Sequence, residues 1–349
     1  MGRRFSVFMR LAVDVMGGDQ GPAELLHGIR LGLAADPSIG KVYVVGRESE
    51  LLPLAKQVGL TDPRVEYHNA SEVLTMEDDP TVAVRRKKDS SLLRALSLVS
   101  DEKADAAISS GNTGALVAGA TFRLGRLDGV KRPSLACVMP SRTGAFVLLD
   151  GGANPECTPE ILLQFAIMGS VYSHAMLGIE KPRVGVLSNG SEETKGTDLT
   201  RSALALIRKT SLNCTGYCEG FDLFTDGVDV AVCDGFVGNL VLKTSEGLGK
   251  TVGYLVRTEL VNHPSPFRKL GALLAAGGLR KIRARMNPET YGGAPILGLH
   301  GSVVKIHGSA RRDALKNAIQ QCSRAIRQNL SEEIVRQIAA ATAATAIPG

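Results

Sequence analysis

The segment DVAVCDGFVGN (Asp229–Asn239) decides the fold class of this chain. It places a short apolar, strand-like run directly before a turn of Asp, Gly and Asn. The same order recurs in four other segments: LAVDVMGGD (Leu11–Asp19), ADAAISSGNTG (Ala104–Gly114), FVLLDGGAN (Phe146–Asn154) and RVGVLSNGSEETKGTDLTR (Arg183–Arg201). Ligands of open α/β sheets bind beyond the carboxyl ends of the strands, so these five ends predict an enzyme site assembled from strand termini.

Strand-like and helix-like segments alternate along most of the chain. Pro22–Ala35 has its leucines at helical spacing, and Thr158–Leu177 begins with an N-cap Thr followed by Pro and Glu. Lys41–Val45 and Val184–Leu187 are strand-like. This alternation predicts a largely parallel sheet with helices on both faces. The length of 349 residues fits either two domains or one large α/β unit.

The composition argues against several classes of protein. Aromatic residues make up only 4% and Trp is absent, so we expect no nucleic acid partner that depends on base stacking. No stretch approaches the roughly 18 apolar residues of a membrane span, and Met1–Val15 lacks the pattern of a cleavable signal. The six cysteines lack zinc-ligand spacing, so we expect reduced thiols, a cytoplasmic location and no metal.

The positive charge is concentrated in two places. Arg85, Arg86, Lys87 and Lys88 form one run, and Leu260–Pro288 contains six basic residues and no acidic one. Such patches favour an acidic protein, a membrane surface or nucleic acid as partner.

The segment Pro264–Asn287 is amphipathic as well as basic. We expect two short helical arms broken at Gly277-Gly278, packed on their own subunit or across a dimer. The alternative is a surface that contacts a membrane or an acyl-bearing partner.

Three of the strand ends carry side chains suited to binding an anion. The turn SSGNTG (Ser109–Gly114) opens a helix whose N–H groups can hold an oxyanion, although a simple N-cap is the alternative. The loop SNGSEETKGTD (Ser188–Asp198) combines amides and hydroxyls with Lys195, which could also be a solvated surface lysine. DGFVGN (Asp234–Asn239) offers a carboxylate and an amide, or a glycine-rich turn with a cap. No complete P-loop, dinucleotide fingerprint or nucleophile elbow is present.

Seven segments carry a more specific pattern: VDVMGGDQGP (Val13–Pro22), EDDPTVAVRRKKDSS (Glu77–Ser91), SSGNTGA (Ser109–Ala115), LLDGGANPECTPE (Leu148–Glu160), LSNGSEETKGTDLTR (Leu187–Arg201), DGFVGNLVLKTSEG (Asp234–Gly247) and YGGAPILGLHGSVVKIHGS (Tyr291–Ser309). Together they resemble the bacterial phosphate acyltransferase family. Gln20 departs from the family, which usually has His there, so no general-base role is assigned to this position.

The resemblance implies a three-layer α/β/α sandwich with a broad, largely parallel sheet, similar to that of the isocitrate and isopropylmalate dehydrogenases. Residues 1–340 would form a single two-lobed catalytic unit. Within it, 262–290 would be an amphipathic, basic helical insertion, and 341–349 would be a flexible tail.

The implied reaction is the reversible transfer of a fatty acyl group from acyl-acyl carrier protein to inorganic phosphate, which gives acyl-phosphate for membrane phospholipid synthesis. A phosphate oxygen is already a nucleophile, so the protein must place phosphate beside the thioester and stabilise the tetrahedral oxyanion. We assign charge stabilisation to Lys195 and hydrogen bonding of the oxyanion or phosphate to Asn239. The other candidates for the substrate and phosphate cradle are Ser109, Asn112, Asn154, Asn189, Ser191, Asp198 and Asp234, of which the two carboxylates would orient Lys195 and nearby amides. No cofactor is required.

The resemblance also implies partners. These are acyl carrier protein, a second copy in a homodimer, the anionic inner face of the cell membrane, and a membrane glycerol-phosphate acyltransferase as downstream acceptor. The residues assigned to carrier-protein or membrane contact are Arg85, Arg86, Lys87, Lys88, Arg268, Lys269, Arg280 and Lys281.

Three alternatives remain open. A metal- and nicotinamide-dependent decarboxylating dehydrogenase needs several carboxylates around a divalent cation, whereas these strand ends favour amides and hydroxyls. A phosphotransacetylase acting on coenzyme A esters is a closer rival. A non-enzymatic scaffold that recruits carrier protein to the membrane through the basic segments is the third.

Overall fold

The structure, a computed structural model, describes residues 8–263 and 265–345. The strands are β1 (Met9–Asp14), β2 (Ile39–Gly46), β3 (Val65–Asn69), β4 (Ala106–Ser109), β5 (Ser134–Leu135), β6 (Cys137–Pro140), β7 (Ala145–Leu149), β8 (Val184–Leu187), β9 (Cys214–Cys218), β10 (Val230–Val232), β11 (Ala294–Leu297) and β12 (Ser302–Lys305). The helices are α1 (Pro22–Ala35), α2 (Glu48–Val58), α3 (Pro80–Arg86), α4 (Ser91–Ser100), α5 (Thr113–Leu124), α6 (Pro159–Tyr172), α7 (Asp198–Ile207), α8 (Gly220–Phe224), α9 (Gly235–Val256), α10 (Pro266–Met286), α11 (Arg312–Arg327) and α12 (Leu330–Thr345).

The predicted parallel strands are present, and they are divided between two sheets. The first sheet has the order β3-β2-β1-β4-β12-β11-β5, in which β3 to β12 are parallel and the last two pairings are antiparallel. The second sheet has the order β6-β7-β10-β8-β9, with only the β6–β7 pair antiparallel. The α/β class is therefore confirmed, with two mostly parallel sheets in place of one broad sheet.

The two sheets share part of their core. One buried apolar cluster contains Ala12 and Ala107 of the first sheet together with Phe146, Leu148 and Ala231 of the second. Two further clusters lie on the outer sides, one under α1 and α11 and the other under α6, α7 and α12. Strands buried on both faces read as continuous apolar runs, which is why the strand-like segments were recognisable in the sequence.

Helix α9 contacts this core through Val237, Val241 and Leu242 of its first turns, whereas most of α9 and all of α10 are exposed or half-buried. Gly235 and Gly238 are the only buried residues of α9, and no described residue of α10 is buried. The expected break at Gly277-Gly278 is wrong, because α10 runs through both glycines without interruption. No neighbouring atom lies within 4 Å of a Cβ built at either position, so nothing packs there to force a bend.

The last described segment is a helix. α12 continues to Thr345 and Ala341 is buried, so the first part of the predicted tail at 341–349 is helical because it packs on the core. Residues 346–349 lie outside the described residues. Within the described ranges, no helix has the length and apolar character needed to cross a membrane.

The first turn of α9 gives a test of how the second sheet is assembled. A Cβ at Gly238 would overlap the carbonyl oxygen of Asp150, so Gly238→Ala must displace the helix from the strand end. We expect a loss of about 3 kcal/mol in the free energy of unfolding, measured by chemical denaturation. The matched control is Gly253→Ala in the same helix, where no atom lies within 4 Å, and it should gain up to about 1 kcal/mol. Equal effects of the two substitutions would contradict this packing.

Candidate active site

Three polar side chains lie side by side at the carboxyl edge of the first sheet. Asp14, Ser109 and Lys305 end β1, β4 and β12, and the strand register places Ser109 opposite both of the others. The Ser109 hydroxyl donates to the Asp14 carboxylate at 2.7 Å and accepts from the backbone N–H of Gly111 at 3.0 Å. Burial raises the pKa of Asp14, and hydrogen bonds from Ser109, Ser91 and Met16 oppose the shift. The Ser109 hydroxyl thus has protein partners both as a donor and as an acceptor.

Asn112 is the N-cap of α5. Its side-chain oxygen accepts from the N–H of Ala115 at 3.1 Å, and its amide nitrogen donates to the carbonyl of Met76 at 3.1 Å. Asn112 therefore caps the helix, and both ends of its side chain have protein partners. An anionic ligand could still be attracted to the N-terminus of α5, which is the positive end of the helix dipole.

Asp150, immediately after β7, organises the edge of the second sheet. Its carboxylate accepts from the N–H of Leu135 at 2.8 Å and from the Asn154 N–H and side-chain amide at 2.6 and 3.0 Å. Asn154 also donates to the carbonyl of Pro133 at 2.7 Å, and it is buried. Asn154 is therefore a partner of Asp150, since its amide is fully used inside the protein.

Helix α9 begins beside Asp150. The Asp234 carboxylate accepts from the N–H of Val237 at 2.9 Å, so it caps the helix and does not orient Lys195. Asn239 lies one turn further along and is exposed. It packs against Gly152, where a Cβ would lie 3.2 Å from that of Asn239. Among the described residues, no protein group hydrogen-bonds to the Asn239 amide.

The loop between β8 and α7 carries Lys195. The Asn189 side-chain oxygen accepts from the N–H of Gly196 at 3.0 Å, which folds the loop back on itself and brings the Lys195 stem over Gly190. Lys195 is exposed, and its ammonium has no hydrogen-bond partner in the described part of the chain. Because β8 and β10 are paired neighbours, the turns that carry Lys195 and Asn239 follow adjacent strands.

Two other residues of this loop have different surroundings. Ser191 is exposed. Asp198 forms an ion pair with Arg201 at 2.5 Å in the first turn of α7, so its expected partnership with Lys195 is not formed.

The termini of three helices add a shared electrostatic feature. α5, α7 and α9 each begin shortly after a parallel strand of either sheet, so their N-terminal ends lie at the carboxyl edges. Helix N-termini carry partial positive charge and unpaired N–H groups, and this makes the edge attractive to an anion.

The cysteines and the possible metal ligands do not suggest another chemistry. All six cysteines are free, and burial raises the pKa of Cys137 and Cys218 to about 12, so these thiols are protonated at neutral pH. Over residues 8–263 and 265–345, no group of three or more His, Cys, Asp or Glu side chains could hold a metal ion.

The sequence analysis did not single out Asp14, Asp150, Lys305 or His307. Asp14, Asp150 and Lys305 end apolar strand-like runs, where an ionisable residue is buried at a cost, and this was the signal available in the sequence. His307 follows β12, is exposed, and accepts from the N–H of Ser309 at 3.2 Å. This contact needs an unprotonated Nδ1.

Some of the residues in the two basic patches form ion pairs with acidic residues of the chain. Lys87 pairs with Asp78 at 2.6 Å and donates to the carbonyl of Val73, and Arg268 pairs with Glu259 at 2.5 Å. The other members of the predicted contact set are exposed: Arg85, Arg86, Lys88, Lys269, Arg280 and Lys281.

A cavity of about 520 Å³ lies at the opposite, amino-terminal edge of the second sheet. Arg183, Asp226, Asp229 and Arg285 are among its lining residues, and Asp229 is paired with Arg183 at 3.0 Å. It is separated by the length of the strands from Lys195 and Asn239, so the cavity does not coincide with the strand-end site.

The fold is that of the phosphotransacetylases. The chain is similar to EutD phosphotransacetylase from Staphylococcus aureus, with a TM-score of 0.56 and 17% identity over 91% of this chain and 94% of that one. It is also similar to a phosphotransacetylase from Streptococcus pyogenes, with a TM-score of 0.57 and 16% identity over 92% and 94% of the two chains. At such low identity the likeness shows the fold alone.

Sequence comparison gives the family. The profile of the family described as fatty acid synthesis protein matches residues 9–333. Curated proteins named phosphate acyltransferase are 42% identical over 330 residues in Thermoanaerobacter pseudethanolicus (95% of this chain, 97% of the relative) and 46% identical over 323 residues in Desulforudis audaxviator (92% and 94%). The chain therefore belongs to the phosphate acyltransferase family and is an acyltransferase, as its sequence motifs predicted.

Proposed function

We propose that this enzyme transfers a fatty acyl group from acyl-acyl carrier protein to inorganic phosphate and so supplies acyl-phosphate for phospholipid synthesis. The observation that carries the proposal is the pair of exposed polar ends, Lys195 and Asn239, on turns that follow two adjacent strands. Both retain unused hydrogen-bonding capacity at an edge where helix N-termini favour an anion.

The chemistry requires little beyond positioning and charge stabilisation. A phosphate oxygen bonds to the thioester carbonyl carbon and gives the tetrahedral oxyanion. The oxyanion then re-forms the carbonyl as the carbon–sulfur bond breaks, and the carrier thiolate that leaves takes up the proton lost by hydrogen phosphate. In this proposal Lys195 stabilises the developing negative charge and Asn239 donates its amide N–H to the oxyanion or to phosphate. Asn189 and Ser191 line the same loop, while Ser109, Asn112, Asn154, Asp198 and Asp234 act indirectly by holding the turns in place.

Removal of either exposed end tests this proposal. We expect Lys195→Ala and Asn239→Ala to lower kcat for phosphate-dependent consumption of acyl-acyl carrier protein by about 100-fold or more, the scale for loss of one oxyanion stabiliser. The matched control is Lys209→Ala, another exposed lysine that follows α7, and its kcat should match that of the parent protein. A folded Lys195→Ala enzyme of normal kcat would exclude Lys195, and an effect of Asn239→Ala on KM alone would indicate a ground-state contact. Absence of any phosphate-dependent turnover in the parent enzyme would refute the function itself.

We further propose that the carrier protein, an acidic partner in this pathway, docks on one of the basic patches. Arg85, Arg86 and Lys88 support this because they are exposed on or next to α3. The loop that leads into α3 is tied to the strand-end edge, since the Asn112 amide donates to the carbonyl of Met76. Lys269, Arg280 and Lys281 on α10 are the other exposed set. Lys87 contributes less, since Asp78 already neutralises its charge.

Charge reversal separates docking from chemistry. We expect either Arg85→Glu with Arg86→Glu, or Arg280→Glu with Lys281→Glu, to raise KM for acyl-acyl carrier protein about tenfold at low salt and to leave KM for phosphate unchanged. Lys181→Glu is the control, because this exposed lysine precedes β8 at the opposite edge. Unchanged kinetics for both reversed patches would reject docking at either one.

We propose that α9 and α10 mediate the two remaining contacts, with a second copy and with an anionic membrane. Exposed apolar side chains recur along α9 at Leu240, Leu248, Val252 and Leu255, a row that a single chain leaves uncovered. On α10, Phe267 is 84% exposed and Leu274 is 80% exposed, and the sequence of this helix has basic residues but no acidic one. A cytoplasmic enzyme held at the inner membrane face would release its reactive product close to a membrane glycerol-phosphate acyltransferase.

Two substitutions on α10 test the membrane contact. Leu270→Glu with Leu274→Glu should abolish co-sedimentation with anionic vesicles while turnover of soluble substrates persists, because the insertion loses apolar area and gains negative charge. Phe122→Glu is the control, since Phe122 is equally exposed on α5 and outside the insertion. Loss of the dimer in the double variant, measured by light scattering, would assign these leucines to the subunit contact, and unaltered vesicle binding would remove them from the membrane surface.

A further inference from the structure

Lys305 carries a buried ammonium group that has no role in the reaction proposed above. It is 8% exposed at the end of β12. Its Nζ donates to the carbonyl of Ser110 at 3.0 Å and to the carbonyl of Ile306. The bond to Ser110 joins the end of β12 to the turn after β4, and the bond to Ile306 is local to the end of β12. A buried lysine is costly, so two backbone carbonyls alone are a weak reason for its presence.

The surroundings of Lys305 form one connected unit. Its in-register neighbour Ser109 donates to Asp14, and the carbonyl of Ser110, the next residue, accepts from Lys305. Ser110 is 1% exposed and its hydroxyl has no protein partner among the described residues, although a Cβ at Gly18 would come within 2.7 Å of it. The turn leads directly into the N-terminus of α5.

The charged groups that act on Lys305 come from three directions. Asp14 of β1 and Asp19 of the following loop favour its charged form, and Lys243 of α9 opposes it. His307, two residues further along, is in turn affected by Lys305 and by Lys243. Burial lowers the pKa of Lys305 to about 8, and this outweighs the two carboxylates.

Building on the proposed function, we infer that Lys305 is a positioning residue of the phosphate site: it holds the Ser110 carbonyl away from the ligand and supplies a fixed positive charge behind the α5 N-terminus. The carbonyl of Ser110 would otherwise be free to turn toward the anion and repel it. Asp14 anchors the same turn through Ser109 and balances the charge. Lys305 thus acts through the turn and does not itself contact the reacting atoms.

A neutral side chain could hold the two carbonyls but could not supply the charge. The inference therefore requires phosphate affinity to depend on the protonation state of Lys305. Below its pKa the ammonium is present and phosphate is attracted. Above about pH 8 the charge is lost, and kcat/KM for phosphate should fall. The second ionisation of phosphate lies near neutral pH, so the fall is evaluated above that pH, where the dianion is already the main form.

The first experiment measures kcat/KM for inorganic phosphate at saturating acyl-acyl carrier protein from neutral pH to well above pH 8, with phosphate-free blanks. Lys305→Met should raise KM for phosphate about tenfold or more, as expected for loss of a charged hydrogen-bonding group, and leave KM for the carrier protein unchanged. Lys305→Arg should restore much of the affinity and remove the alkaline fall, because guanidinium does not titrate there. Lys41→Met, remote at the start of β2, is the control and should change neither constant.

A second measurement tests the inference even if the Lys305 variants do not fold. Lys243→Met removes an exposed like charge, so at low salt the alkaline fall should move to higher pH. Asp14→Asn removes a favourable charge and should move it to lower pH. An alkaline fall that stays in place in both variants would overturn the inference, as would a folded Lys305→Met enzyme with unchanged KM for phosphate. Absence of phosphate-dependent turnover in the parent enzyme would instead refute the proposed function, so the two failures are distinguishable.

Discussion

The buried carboxylate of Asp150 is the interaction on which the arrangement of the two sheets depends. It follows β7 of the second sheet and accepts from the backbone N–H of Leu135, in β5 of the first. Its second oxygen accepts from Asn154, and its carbonyl oxygen lies against Gly238 of α9. Burial raises the pKa of Asp150, which means that the charged form is disfavoured. Donors from β5 of the first sheet and from the loop after β7 offset that cost. One ionisable group thereby fixes the strand ends of both sheets and the start of the helix that carries Asn239.

Much of the fold could be predicted from the sequence because buried parallel strands are continuous apolar runs and their polar ends are conspicuous. The segments around Asp14, Ser109 and Asp234 all proved to be strand ends followed by helices or by loops into them. The division into two sheets could not be predicted, since strand order depends on contacts between residues far apart in the chain. The uninterrupted course of α10 through Gly277-Gly278 was missed for a related reason: glycine permits a break, but only a packing contact would enforce one.

The roles of the candidate site residues could be predicted less completely than the fold. The reason is that a side chain's role depends on which protein groups lie within hydrogen-bonding distance of it. A Ser or Asn at a strand end is equally suited to a ligand and to the backbone of the turn. Ser109, Asn112 and Asn154 found buried backbone or carboxylate partners and became part of the framework. Lys195 and Asn239 lie on the exposed sides of their turns and keep their polar ends available. Sequence alone identified these strand ends as candidates, while only the fold distinguished side chains with protein partners from those whose polar groups have none among the described residues.

Helix α9 connects the proposed phosphate site with the proposed membrane contact. It begins at the Asp234 cap beside the site and runs 22 residues, about 33 Å, to the exposed turn that leads into α10. A helix of this length is a rigid spacer, so a membrane held by α10 would lie at a fixed distance from the turn that carries Asn239. An acyl-phosphate formed at the strand ends must then leave the site before it reaches the lipid surface. In the proposed arrangement, a second copy would cover the exposed apolar row that follows the first turns of α9. The same helix would then set the distance from site to membrane and hold two sites at that distance.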